Sequence, residues 1–156
     1  AVNDQLDRHP PSSLIDARTR RQFHEGVGVV RQLLDEQRLT PVMVVHLGNN
    51  GRVRMSDVEG LVAELTEGQR LLLVNVRVDA PWRESVNEVL AEAAQRFPVV
   101  TLVDWYGYSE GHRNWFQSDG THFTATAGEG ARAYAELITT AAATPPPPTP
   151  APAPAP

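Results

Sequence analysis

The sequence predicts an α/β domain built on an open, mainly parallel, doubly wound sheet. Three apolar runs of strand length, at residues 41–47, 71–76 and 99–104, are continuous rather than alternating. Continuous apolarity is typical of strands that are covered on both faces, as parallel strands are. Amphipathic stretches of helical period separate these runs, and the connections are short. Ligands of such sheets bind beyond the carboxyl ends of the strands, so we expect a site in the loops that follow the three runs.

A weaker strand candidate, residues 13–17, precedes the three strong ones. Apolar residues three or four apart indicate three helices, whose faces are Phe23, Val27, Val30 and Leu34; Val58, Leu61, Val62 and Leu65; and Val86, Val89, Leu90, Ala93 and Phe97. Ser56 and Glu59 have the spacing of a capping box and predict the start of the second helix, and Pro98 predicts the end of the third. A final helix is expected from near Thr124, with one face formed by Ala131, Tyr134, Ala135 and Ile138.

Composition divides the chain of 156 residues into a domain, 1–143, and a tail, 144–156. The tail contains eight of the 13 prolines and no residue that could build a core. Its expected conformation is a solvated polyproline II spacer. The rest of the chain is long enough for a three-layer domain with its own core.

Charge and composition exclude several classes of partner. A net charge of −5 without a cluster of lysine or arginine argues against nucleic acid. The chain has no cysteine and therefore no thiolate metal site. No other metal site is expected, because His9, His24, Asp104 and His112 do not have the spacing of a ligand set. No apolar run is long enough to span a membrane.

Asp119 and His122 stand three residues apart, just before the last helix. A carboxylate that binds one ring nitrogen of an imidazole fixes its tautomer and stabilises the imidazolium, so the imidazole can serve as a general base. The alternative is that Asp119-Gly120 is simply a turn and that His122 only leads into the helix. The position of the pair, in a loop at the expected functional edge, favours the base.

The loop after the first strong strand reads Gly48-Asn49-Asn50-Gly51. An asparagine amide placed there can donate to a developing oxyanion, and a glycine lets the backbone come close to a ligand. The same residues are favoured turn formers, and on spacing alone a turn explains them.

Four groups of residues occur in one order along the chain. They are His46-Leu47-Gly48-Asn49-Asn50-Gly51; Asn75-Val76-Arg77-Val78 with Pro81-Trp82 and Val86-Asn87; Val103-Asp104-Trp105 through Gly111-His112 to Trp115-Phe116; and Asp119-Gly120-Thr121-His122. Together they resemble the SGNH-hydrolase domain that follows the membrane acyltransferase-3 region in bacterial cell-envelope O-acetyltransferases, including those that act on peptidoglycan. The resemblance extends from about Ser13 to Ile138. It implies a flavodoxin-like, three-layer α/β/α fold.

The resemblance also implies roles for individual residues. His122 would be the general base, Asp119 its orienting carboxylate, and Asn50 a side-chain donor of the oxyanion hole. Gly48 belongs to the same block as Asn50 and would line the substrate site.

Four further residues are candidates for substrate binding. Arg21 and Gln22 could hold the loop of the base or a substrate hydroxyl, and a structural role is equally open. Trp105 and Trp115 follow the last strong strand, and their aromatic faces suit sugar rings.

The family's first block, a Gly-Asp-Ser at the end of the first strand, would fall immediately before Ala1. None of the serines in the chain stands on a strand-to-helix elbow that would expose a nucleophile. We therefore expect the chain as given to be inactive. Arg20 stands where the family usually has a glycine, and a positive φ at this position would be strained.

The family's sheet order of 2-1-3-4-5 would place the absent first strand centrally, between Leu14-Ile15 and residues 42–45. Each backbone group left unpaired there would cost about 1 to 3 kcal/mol. We therefore expect the isolated chain to be unstable, or its neighbouring strands to close together.

The resemblance implies a serine esterase or O-acyltransferase that works through an acyl-enzyme without a cofactor. Its substrate would be an acetylated glycan or a small acyl ester, at the extracytoplasmic face of a bacterial envelope. A membrane acyltransferase domain could share the parent polypeptide. A second hypothesis is a non-catalytic glycan-binding or regulatory domain that kept the fold and lost the nucleophile. An unrelated flavodoxin-like domain ranks last, because the loop at residues 48–51 has no phosphate-cradling run of Gly, Ser and Thr.

Overall fold

A computed structural model describes residues 14–125 and 128–145. Its elements alternate between helix and strand in the order that the sequence predicts. They are α1 (Phe23–Asp35), β1 (Val42–Val45), α2 (Met55–Ala63), β2 (Arg70–Val74), α3 (Arg83–Arg96), β3 (Val100–Val103), α4 (Trp105–Tyr108), a 3₁₀ helix (Arg113–Trp115) and α5 (Glu129–Ala143). The three strong strands and the helices between them are thereby confirmed.

Within the described residues, the sheet has three parallel strands in the order β1-β2-β3. Side chains of β2 alternate between its two faces: Leu71 and Leu73 belong to one core, and Leu72 and Val74 to another. The first core also contains buried residues of α1, α2 and α3, and the second contains Tyr134 of α5. Helices therefore cover both faces of the sheet, and the three-layer α/β/α architecture is confirmed.

Two predicted helix starts are wrong. Helix α2 begins one residue before Ser56, and its capping box joins Arg54 to Asp57, whose Oδ2 accepts the Arg54 amide at 3.0 Å. Helix α5 begins at Glu129 rather than near Thr124. Thr124 is instead held in the preceding loop, because its amide donates to the carbonyl of Trp115 at 3.0 Å. Helix α3 ends at Arg96, as Pro98 predicts.

The predicted strand at residues 13–17 is also wrong for the part that the structure describes, 14–17, which has no regular structure. A strand needs a paired neighbour, and this segment lies against α1 instead, where it lines a cleft with Val29 and Leu33. Asp16 of this segment also forms an ion pair of 2.6 Å with the nearby Arg21. The segment therefore does not close onto β1, and Val44 on that edge strand is 38% exposed.

Residues 1–13, 126–127 and 146–156 lie outside the described part of the chain, and with them most of the predicted tail. The boundary between domain and tail stays a prediction. Within the described part, no helix combines the length and apolarity needed to cross a membrane.

Candidate active site

The Asp119–His122 pair forms in the structure as the spacing predicts. The Nδ1 atom of His122 lies 2.6 Å from Oδ2 of Asp119, and the two side chains are 74% and 47% exposed. The pKa of Asp119 is lowered to about 2, first by this hydrogen bond and then by bonds from the amides of Thr121 and His122. The carboxylate is therefore ionised at neutral pH, so Nδ1 carries the proton and donates it. That tautomer leaves the lone pair on Nε2, the atom that a general base uses.

A closed loop positions this pair. Phe116 and Phe123 form an antiparallel bridge, and the amide of Gln117 donates to the carbonyl of His122 at 2.7 Å. Inside the loop, Oδ1 of Asp119 accepts the amides of Thr121 at 2.9 Å and His122 at 3.0 Å. The two oxygens of one carboxylate thus have different tasks. Oδ1 shapes the turn and Oδ2 orients the imidazole. Residues 117–122 are called the base loop below.

The turn interpretation and the base interpretation of this segment are therefore compatible. Gly120 has a φ of 69°, and a Cβ atom on it would lie 3.1 Å from Nη1 of Arg113. Arg113 donates to the carbonyls of Gln117 at 3.0 Å and Ser118 at 2.7 Å. A left-handed glycine and an arginine clamp together hold the loop that carries His122.

The loop after β1 is anchored from two sides. The carbonyl of Gly48 accepts the indole N–H of Trp82 at 3.1 Å, and the carbonyl of Asn50 accepts Nε2 of Gln22 at 2.9 Å. Gly48 has a φ of 121°, and a Cβ there would lie 2.9 Å from Cγ1 of Val86, so only glycine fits. Asn50 itself is exposed at the carboxyl edge of the sheet.

Residues 16–22, which form the second block of the resemblance, contribute structure around this loop. Gln22 bridges to Asn50 through its side chain, while Glu25 accepts the amide of Gln22 at 2.6 Å in the capping box of α1. Arg21 does not reach the base loop, because its guanidinium binds Asp16. Arg20 has a φ of 60°, so the arginine occupies the left-handed conformation that a glycine would adopt without strain.

The surroundings of Trp105 and Trp115 do not agree with the expectation that both contact sugar rings. Trp105 is 2% exposed and packs edge-on against Tyr134, with ring centroids 5.0 Å apart. Its ring has no face open to a ligand, and Trp105 is therefore not part of the proposed site. Trp115 is half-buried, and the ring of His112 stacks on it at 3.8 Å. Only the part of the Trp115 ring that its neighbours leave uncovered is accessible to a ligand.

No described serine is hydrogen-bonded to His122. Ser109 is fully buried, and its Oγ donates to the carbonyl of Trp105 at 2.7 Å. Ser85 donates to the carbonyl of Trp82 at 3.0 Å. The remaining described serines, Ser56 and Ser118, are exposed. The described residues therefore contain an imidazole–carboxylate pair, and no described serine is hydrogen-bonded to it.

His46 lies directly after β1 and has different surroundings. Its Nδ1 is 2.6 Å from the hydroxyl of Tyr134, and burial lowers its pKa to about 4. Burial also raises the pKa of Tyr134, which therefore stays protonated. These contacts pack His46 against Tyr134 of α5. Its Nε2 atom and Oδ1 of Asn49 are buried without a partner among the described residues.

Sequence analysis names Asn75, Arg77 and Asn87 among the four groups but gives them no role, and in the structure their side chains hold the carboxyl edge of the sheet. Asn75, 6% exposed, donates to Oδ1 of Asp104 at 2.7 Å and accepts the amide of Tyr106 at 2.7 Å, which ties the end of β2 to the end of β3. Asn87 binds both backbone groups of Val76, at 2.8 and 3.0 Å. Arg77 reaches the base loop. Polar residues that directly follow a buried strand were the available signal.

The described residues contain no group of three or more His, Asp or Glu side chains that could hold a metal ion.

Comparison with known proteins agrees with this architecture, although no protein-family model matches the chain. The peptidoglycan O-acetyltransferase OatA of Listeria monocytogenes is 32% identical over 139 residues, 89% of this chain and 22% of that protein. The Bacillus subtilis protein YrhL is 31% identical over 140 residues, 90% of this chain and 22% of that protein. The chain thus spans about a fifth of the length of the curated relatives that it matches.

A solved structure has the same fold. The C-terminal catalytic domain of OatA from Streptococcus pneumoniae, determined with a methylsulfonyl adduct, matches with a TM-score of 0.77 at 22% identity. The match covers 90% of this chain and 84% of that one. Over most of its length the chain is therefore homologous to peptidoglycan O-acetyltransferases, and its fold matches that of the C-terminal catalytic domain of OatA.

Proposed function

We propose that the chain is the base-bearing part of an SGNH-type serine esterase or O-acyltransferase, which moves an acetyl or other small acyl group to or from a cell-envelope glycan. The observation that carries this proposal is the 2.6 Å contact between Nδ1 of His122 and the ionised carboxylate of Asp119. It leaves an exposed Nε2 that can accept a proton.

In the proposed reaction, a serine outside these 156 residues attacks the carbonyl carbon of an acyl ester, and its hydroxyl proton passes to Nε2 of His122. Asp119 stabilises the imidazolium. Asn50 and backbone amides donate to the oxyanion, and the imidazolium then protonates the departing alcohol. A sugar hydroxyl or water attacks the resulting acyl-enzyme, with His122 again as the base.

The relatives support the choice of substrate class. OatA of Listeria monocytogenes is a peptidoglycan O-acetyltransferase, and the matching solved structure is the catalytic domain of another OatA. A peptidoglycan-like acceptor at the extracytoplasmic face is therefore proposed for this chain as well. Because the relatives are about five times as long as the matched region, we also propose that a membrane acyltransferase domain in the same polypeptide supplies the acyl group.

A non-catalytic glycan-binding or regulatory module is the second candidate. The observation that favours it is Arg20, with a φ of 60°, at the position where the family usually has a glycine. A strained residue in the second block would be tolerated if that block no longer supported catalysis.

The coding sequence directly upstream of Ala1 separates the two candidates. An apolar strand that ends in Gly-Asp-Ser selects the enzyme, and its absence selects the binding module. The natural polypeptide that contains both that segment and this chain is called the complete polypeptide below.

The activity test uses the complete polypeptide and a chromogenic acetyl ester. His122→Ala is expected to lower kcat by about 10²- to 10⁴-fold, because a general base contributes that much. His24→Ala, at an exposed position on α1, is the matched control and is expected to keep full activity. Full activity in His122→Ala would refute the proposal.

A further inference from the structure

Arg77 connects the end of β2 to the base loop. Its Nε donates to the carbonyl of Gly120 at 3.1 Å, between Asp119 and Thr121. Its Nη1 lies 3.3 Å from Oγ and 3.4 Å from the carbonyl of Ser109, which follows α4. One planar guanidinium, placed after β2, therefore binds two segments of the chain that both follow β3.

The aromatic surroundings of Arg77 restrict its orientation. The guanidinium carbon lies 4.4 Å from the ring centroid of Phe116 and 6.0 Å from that of Tyr106. Phe116 is 4% exposed and forms one side of the bridge that closes the base loop. A cation held over a buried ring and hydrogen-bonded at two points has little rotational freedom.

The contact of Arg77 with the base loop differs from that of Arg113. Arg113 is exposed and belongs to the same local segment, four and five residues from the carbonyls that it binds. Arg77 is 43 residues from Gly120 and is anchored next to a buried strand. It therefore adds a long-range hydrogen bond between the base loop and the segment that follows β2, beside the packing of Phe116 on the core.

We propose that Arg77 is a positioning residue for the general base. By holding the carbonyl of Gly120 and the ring of Phe116, it sets where His122 stands above the carboxyl edge of the sheet. This inference rests on the proposed function and adds to it a residue that acts through His122 without touching substrate.

The first test measures the loop itself in the complete polypeptide. In Arg77→Met, the amides of Thr121 and His122, both bound to Asp119, are expected to exchange with solvent about tenfold faster, because the loop loses its anchor. Arg96→Met is the matched control, because Arg96 also combines a polar contact with a ring contact: it forms an ion pair with Glu59 at 2.9 Å and lies 5.2 Å from the ring of Phe97. It is expected to leave these amides unchanged.

The second test measures kinetics in the complete polypeptide. Arg77→Met is expected to lower kcat by about 10- to 100-fold with little change in KM, which is the cost of misplacing a catalytic group. In a His122→Ala background, the same substitution is expected to change kcat by less than about twofold, because the group it positions is gone. Arg77→Lys keeps one donor and is expected to recover part of the loss. This variant replaces Arg77→Met if the latter does not fold.

The outcomes separate the two proposals. If His122→Ala keeps full activity, the proposed function fails and the role of Arg77 fails with it. If His122→Ala is inactive while Arg77→Met keeps kcat, or if the two losses multiply, only the positioning role is overturned. Unchanged amide exchange in both Arg77 variants overturns it without reference to activity.

Discussion

His122 and His46 form hydrogen bonds of the same length, but the two imidazoles differ in their partners and in their access to water. In each, Nδ1 lies 2.6 Å from an oxygen. The partner of His122 is an ionised carboxylate in an exposed loop, whereas the partner of His46 is a protonated phenol beside the sheet. The exposed imidazole can become charged next to a negative group. The buried one loses its charged form, since burial lowers its pKa to about 4. The identity of the partner and the access of water decide what a histidine can do.

The largest effect is expected when Asp119, the carboxylate partner of His122, is replaced. In the complete polypeptide, Asp119→Asn is expected to lower kcat by about 10²- to 10⁴-fold, because an amide cannot stabilise the imidazolium. Tyr134→Phe removes the partner of His46 and is expected to leave kcat within about threefold in the same ester assay. Comparable losses in both variants would contradict the different roles assigned to the two histidines.

The second prediction concerns acid stability and His46. Its pKa in the folded chain, about 4, is below the ordinary value of 6.5, so the unfolded chain binds the proton more readily. The stability contribution of neutral His46 is complete above pH 6.5 and is lost as the pH falls through about 4. The loss is at most about 3 kcal/mol.

Urea unfolding of the wild type and of His46→Gln between pH 7 and 4 measures this loss. The difference between the two proteins is expected to shrink as the pH falls, because both proteins share the titrations of all other groups and these cancel in the comparison. A difference that does not vary with pH would show that His46 titrates normally in the folded chain.

A smaller effect on stability is expected when the hydroxyl group of Tyr134 is removed. Tyr134→Phe leaves Nδ1 of His46 without its partner and is expected to lower the free energy of unfolding by about 1 to 3 kcal/mol. Tyr108→Phe, at a position 48% exposed, is the control and is expected to change stability by less than about 0.5 kcal/mol. Equal stabilities of the two variants in urea would argue against a hydrogen bond between His46 and Tyr134.

The smallest effect on stability is expected for a substitution within the base loop. Gly120→Ala is expected to destabilise the chain by about 1 kcal/mol, because alanine is strained at positive φ. Gly68→Ala is the matched control: Gly68 has a φ of 81° with no atom near its Cβ position, whereas a Cβ on Gly120 meets Arg113. Thermal unfolding should therefore show the larger loss for Gly120→Ala, and the reverse order would contradict the proposed clamp.

Much of the fold was predictable from local pattern. The three strong strands follow from continuous apolar runs, which reflect burial on two faces, and the helices between them follow from helical spacing, which reflects burial of one face. The errors occurred where local signals competed. Ser56 and Glu59 have capping-box spacing, but Arg54 and Asp57 form the cap. Residues 14–17 have a strand-like composition, but they lie against α1 without a strand partner.

The candidate site was predictable to a different extent. The Asp119–His122 contact was accessible because it spans three residues within one turn, so the sequence largely determines its geometry. The burial of Trp105, the pairing of His46 with Tyr134 and the reach of Arg77 to Gly120 join residues that are far apart in the chain. No local pattern encodes those contacts.

The sequence by itself therefore determined the order of strands and helices and the presence of a carboxylate–imidazole pair, because both depend on neighbours a few residues away. Only the tertiary structure decided which histidine is exposed and which is buried, which tryptophan belongs to the core, and which arginine anchors the base loop. Those outcomes depend on how distant elements pack, and packing sets solvent access and hydrogen-bond partners that the chain does not specify locally.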